Sequence, residues 1–170
     1  MKSIEDKIKL LKELAYELNE CPEELNEYSE DEELELENKF YLFEELIYDV
    51  RLEGDESVIE DLSLLIDDNF FEPAIMEDII EIIISIIEKC DFEEGIYIVL
   101  NNIDKIIIKG RFFLKEFIKM TLNEGNKFID YYIFAINKLD VYKKSIAVQI
   151  LDEIKIEFVN SNRIHKEIYI

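Results

Sequence analysis

The side chains that most often carry out chemistry are few in this sequence, and their types and spacing do not assemble a catalyst. There is one histidine, His165, and its only formal thiol partners are Cys21 and Cys90. A Cys–His nucleophile needs a base held against the thiol and oriented by a third group. A lone histidine in an aperiodic segment reads instead as a surface residue. Two cysteines build neither a disulfide framework nor a zinc site, so both read as reduced thiols, with Cys90, at the end of an apolar run, as a small core residue. Adjacent carboxylates occur at Glu23-Glu24, Glu32-Glu33, Asp67-Asp68 and Glu93-Glu94. Acid–base hydrolysis needs two carboxyl groups held in contrasting environments. Nothing distinguishes the two members of any pair here, and each reads as solvated acid on a helix face or first turn, where the helix dipole favours it. Asp67-Asp68-Asn69 lacks the alternating acids and following glycine of a calcium loop. Glycine-rich phosphate loops, paired helical histidines beside a glutamate, and C-x-x-C pairs are all absent. The expectation is a protein with no catalytic residue, no metal and no cofactor.

The chemistry this sequence offers is charge. It holds 41 acids against 19 bases, a formal net charge of −22. Residues 1–100 carry 32 of the acids and only 7 bases, while the remainder is slightly basic. Such a field repels phosphate backbones and anionic lipid and attracts cations and basic proteins. Nucleic acid and membrane are therefore excluded as direct partners, and a basic protein is expected. The densest stretch interleaves acids with tyrosine: Tyr28, Glu30, Asp31, Glu32, Glu33, Glu35, Glu37, then Tyr41, Glu44, Glu45, Tyr48 and Asp49. Tyrosine supplies rigid contact area with a polar tip, and neighbouring acids steer a basic partner. The candidate partner-binding residues are Glu30, Asp31, Glu33, Glu37, Tyr41, Glu45, Asp67, Asp68 and Glu72.

Helices must position these residues. Only four Gly and two Pro punctuate 170 residues, too few for the turns of a sheet protein. Ser3 precedes a stripe of Ile4, Ile8, Leu11, Leu14 and Leu18 at helical steps. Ser29 with Glu32 forms a capping box before Leu36, Phe40, Phe43, Ile47 and Val50, and Gly54 stops that helix. A Ser57–Glu60 box opens a third helix with Val58, Leu62, Leu65 and Ile66. Pro73 suits the first turn of a fourth running to Lys89, whose isoleucines face most directions and demand burial on most sides. Asp91 caps a fifth helix with Ile96, Val99, Leu100 and Ile103. Gly110 precedes a sixth, Gly125 a seventh, and Asp140 caps an eighth carrying Ile146, Ile150, Leu151, Ile154 and Phe158. The run 106–108 allows a short extended piece.

The expected fold is thus all-α, about eight helices in antiparallel hairpins, as a bundle or a short HEAT-like α-solenoid. It is read as one domain: acidic N-terminal helices at 1–55, a hairpin core at 57–159 and a tail at 160–170. The first residues lack an apolar signal core, and the apolar stretch Ile79–Ile87 is too short to span a bilayer. A cytoplasmic protein is expected.

Residues 58–154 resemble the helical immunity proteins of bacterial polymorphic-toxin systems, in particular the immunity protein 30 family. Leu62, Leu65, Asp67 and Asp68 resemble its leucine-spaced helix ending in an acidic pair. Met76, Ile80, Ile83, Ile87 and Glu88 resemble its second helix, Leu122-Asn123 its later Leu-Asn, and Leu139 with Ile146, Ile150 and Leu151 its closing ladder. Ser85 departs from the pattern, standing where a histidine is expected, and the first 55 residues have no counterpart. The resemblance implies an all-α, non-catalytic protein that binds one toxin domain and blocks it. A toxin with a basic cleft, such as a nuclease, fits an acidic binder. The rival readings are a helical scaffold or regulator of another protein, and a carboxylate-dependent hydrolase. The oligomeric state is left open.

Overall fold

The computed structural model describes residues 2–20, 29–70, 72–123 and 127–154. Among these residues there are nine α-helices and no strand: α1 (Ile4–Asn19), α2 (Glu30–Glu53), α3 (Ile59–Ser63), α4 (Pro73–Lys89), α5 (Phe92–Asn101), α6 (Ile103–Ile106), α7 (Arg111–Asn123), α8 (Lys127–Lys138) and α9 (Val141–Ile154). The all-α fold is as expected. The expectations that fall on Cys21, Glu23, Glu24, Tyr28, Gly125, Phe158 and His165 lie outside the described residues.

The helix starts are set by local chemistry. Ser3 and Asp6 form a full capping box on α1, as Ser29 and Glu32 do on α2. Each serine oxygen accepts the third helical N–H while the acid accepts from the serine backbone. Ser57 does not cap the third helix as expected. α3 itself has no side-chain cap, and Asp55 caps the turn before it, accepting from the Ser57 N–H at 2.9 Å and its hydroxyl at 2.6 Å. A single 3₁₀ turn, Glu56–Val58, then leads into a short α3. Leu65 and Ile66 fall in the turn beyond it but stay buried. Asp91 caps α5 and Asp140 caps α9, whereas the expected fifth helix breaks at Asn102 into α5 and α6. The Ile106–Ile108 run ends α6 and enters a turn with no extended piece.

α2 lies against α4, α4 against α7 and α7 against α9, while α3 lies against α5 and α5 against α8. α1 packs on α2. α2 and α4 run the same way: the Phe43 ring meets Phe70 just before α4 at 5.8 Å, and Gly54, just after α2, abuts Ile86 near the end of α4. The isoleucines of α4 are buried on nearly every side, as their distribution requires, against α2, α3, α5 and α7. One hydrophobic cluster runs from Ile8 to Ile154. Within it the Thr121 and Tyr132 oxygens lie 2.7 Å apart. Thr121 also reaches the Phe117 carbonyl at 2.9 Å, which can only accept. Its one proton goes there, so Tyr132 donates to Thr121.

Candidate functional site

The nine expected contact residues divide by what the fold does with them. Asp67 and Asp68 are tied into the frame. They sit in the turn after α3, where the Asp68 carboxylate accepts the Phe112 and Phe113 N–H groups at 2.8 and 3.1 Å. That is an N-cap for α7 supplied from a segment more than forty residues earlier. The Asp68 N–H returns a bond to the Lys109 carbonyl at 2.7 Å. Asp67 pairs with the Lys109 ammonium at 3.4 Å, with only 15% of its side chain exposed. Gly110 closes the same junction: a Cβ there would stand 2.4 Å from the Ile66 carbonyl oxygen, a backbone atom with nowhere to go. The acidic pair thus joins the α3–α4 connection to the start of α7. Glu72, at the start of α4, is exposed and stands apart from this junction.

The remaining six lie on α2, with Glu30 its first residue. The side of α2 facing α1 is held by cross-helix ion pairs. Lys7 reaches Asp49 and Glu53, each at 2.8 Å, and Lys39 reaches Glu17 at 3.2 Å, while also pairing along α2 itself with Glu35 at 2.9 Å. Asp49 first, then Glu53, holds the Lys7 ammonium above the ordinary lysine range. Glu35, first, then Glu17, does the same for Lys39. These pairs use part of the acid density read from the sequence. The outward side keeps the rest. Asp31, Glu33, Glu44 and Glu45 are exposed and have no ion pair among the described residues. Glu37 accepts the Tyr41 hydroxyl at 3.2 Å and thereby raises the tyrosine above its usual range.

Two surface features were not read from the sequence, one on this face and one on α4. Leu34 and Leu52 are 57% and 60% exposed, in line with Tyr41 at 58% and Tyr48 at 61%. α2 therefore carries a second apolar stripe opposite the one it buries. The spacing of Leu34, Tyr41 and Tyr48 is its signal, masked by the stronger inward periodicity of Phe43, Leu46, Ile47 and Val50. The second feature is on α4, whose exposed positions Glu77, Asp78, Glu81 and Glu88 form an acidic row with no ion pair among the described residues.

An open groove of about 640 Å³ lies beside Asp55, Glu56, Ser57, Glu60, Cys90 and Ile98. Cys90 is a free thiol that rests against the core and also lines this groove, so it is less enclosed than expected. Among the described residues no three His, Cys, Asp or Glu side chains converge where a metal would be held, and no helix is long and apolar enough to cross a membrane.

The chain matches the family described as Immunity protein 30 over residues 30–131. The match begins at the first residue of α2, not near Val58, so residues 30–55 do have a counterpart, and it ends within α8, short of the expected closing ladder. α1 and α9 lie outside it. The apolar residues of the resemblance that it spans, among them Leu62, Met76, Ile80, Ile83, Ile87 and Leu122, are all buried, and its acidic pair is the α7 cap. No curated protein and no solved structure matches the chain. With more than half of its length covered, this chain belongs to the Immunity protein 30 family.

Proposed function

We propose that this protein binds a cognate toxin domain through the outward face of α2 and blocks it by occupation, without catalysis. The observation that supports this reading most is the set of exposed carboxylates at Asp31, Glu33, Glu44 and Glu45 that no base in the described fold neutralises, standing beside Tyr41 and Tyr48. Acids left unpaired on one helix face steer a positively charged surface towards it. The toxin is accordingly read as basic, as the substrate cleft of a nuclease is. Glu37 lies on the same face, Glu30 and Glu72 are read as further contacts at the starts of α2 and α4, and Asp67 and Asp68 contribute through the frame. The helices are read as one short HEAT-like domain working in the cytoplasm, where Cys90 stays a thiol.

Co-expression with the products of neighbouring genes tests the reading. One of them should be toxic alone and tolerated with this chain. With that toxin purified, Glu33→Lys/Glu37→Lys/Glu45→Lys should slow association by about ten-fold at low salt and flatten its salt dependence. An association rate indifferent to the three reversals would refute the steering role of α2.

A further inference from the structure

The exposed stripe of α2 has a regularity that the acids beside it do not explain. At 100° per residue, Leu34, Tyr41, Tyr48 and Leu52 project within about 40° of one another, along a line about 27 Å long. Each is more than half exposed. Isolated surface hydrophobics are ordinary, but a line of four at helical spacing along a helix whose other side is already buried is not. Its borders are charged: Glu37 and Glu44 flank one edge and Glu45 the other, while Arg51 stands near its far end, where the Lys89 ammonium donates to the Arg51 carbonyl at 2.7 Å.

We infer that this stripe is the anchoring seam of the interface and that its occupant is one helix of the toxin domain, apolar along one side and bordered by lysine or arginine. This rests on the reading of α2 as the toxin-binding element and adds what the acids alone do not give. Seven-residue spacing is the repeat that a second helix lying along the first meets with its own side chains. Buried aromatic and leucine anchors govern how long a complex lasts, whereas exposed charges govern how fast it forms. A second copy of this chain is a poor occupant, because it would bring Glu37, Glu44 and Glu45 against the same three acids. An anionic membrane is repelled for the same reason.

The test uses the toxin identified by rescue. Leu34→Ala/Tyr48→Ala should raise the dissociation rate about ten-fold or more while leaving association within roughly two-fold. The thermal midpoint should not move, because these side chains are outside the core; Tyr48→Glu, a second exposed change, should destabilise the complex in the same sense. If the wild-type chain rescues and both variants dissociate as slowly as it does, the seam is wrong and the toxin-binding reading survives. If the wild-type chain rescues no neighbouring toxin, that reading fails and takes the seam with it. Sedimentation of the free chain should report a monomer. A dimer dispersed by Leu34→Ala/Tyr48→Ala would assign the stripe to a second copy and overturn the proposal.

Discussion

At the scale of single residues, Thr121 and Tyr132 hold their interior hydroxyls in one closed partnership. The Tyr132 hydroxyl is buried and burial pushes its ionisation far above the usual tyrosine range, so it remains a neutral donor to Thr121. Thr121→Val keeps the shape and removes the acceptor, and should cost about 1–3 kcal/mol in urea unfolding because the phenol is left buried without a partner. Thr121→Val/Tyr132→Phe removes both groups and should recover most of that loss. Equal losses in the single and double variants would mean that the pair is not coupled. Ser3, Ser29, Asp91 and Asp140 could be identified as caps directly, because a cap is local and its partners lie within three residues. Asp68 could not, since its partners Phe112 and Phe113 are distant in sequence. The same acid that reads as a surface contact in a linear scan is a cap once the chain is folded.

At the scale of elements, α7 is the helix whose start depends most on another part of the chain. Asp68→Ala should cost about 0.5–2 kcal/mol, the range for a lost N-cap, and Asp68→Asn, which retains one acceptor oxygen, should cost less. Urea unfolding of the two variants measures this, and an alanine variant as stable as wild type would show that the α7 N–H groups find water instead. Helix existence was legible almost throughout, because apolar spacing and caps agree. What escaped was division and termination: α3 ends early, and α5 breaks at Asn102, whose side-chain amide donates to the Ile98 carbonyl at 3.1 Å. α2 escaped in a different way. Its inward stripe satisfied the expected helical pattern, so Leu34 and Leu52 were absorbed into the helix without being seen as a second face.

At the scale of the whole molecule, the charge of −22 sets opposing trends with pH. Self-repulsion eases as acids are neutralised. Against this, Asp6, Glu32, Asp55 and Glu153 are held below their usual carboxylate values, the first three by serine hydrogen bonds and Glu153 by Arg111, which forks onto it from α7. A depressed pKa contributes stability above the ordinary carboxylate value, and the contribution is lost as pH falls through the folded value. The raised Lys7 and Lys39 values act oppositely, their contribution being complete below the ordinary lysine value and lost at higher pH. Unfolding midpoints should therefore fall steeply below about pH 4, and Glu153→Gln should make that acid limb shallower. An unchanged limb in the variant would detach Glu153 from acid unfolding. The lopsided charge was plain in the sequence, but its distribution was not. Lys7, Lys12 and Lys39 neutralise acids only after α1 has met α2 and α3, leaving the outer side of α2 and the exposed row of α4 as net negative surface.

The junction at Asp68 and Gly110 holds the frame of the fold apart from the outer surface of α2. The contacts that hold successive hairpins in register lie on the opposite side of α2 from Leu34, Tyr41 and Tyr48, or on other helices altogether. Side chains on the outer surface can therefore be exchanged without asking the interior to repack. If α2 is the contact element, as proposed, retargeting to a different toxin requires only a new pattern on that helix, with the frame carried over intact.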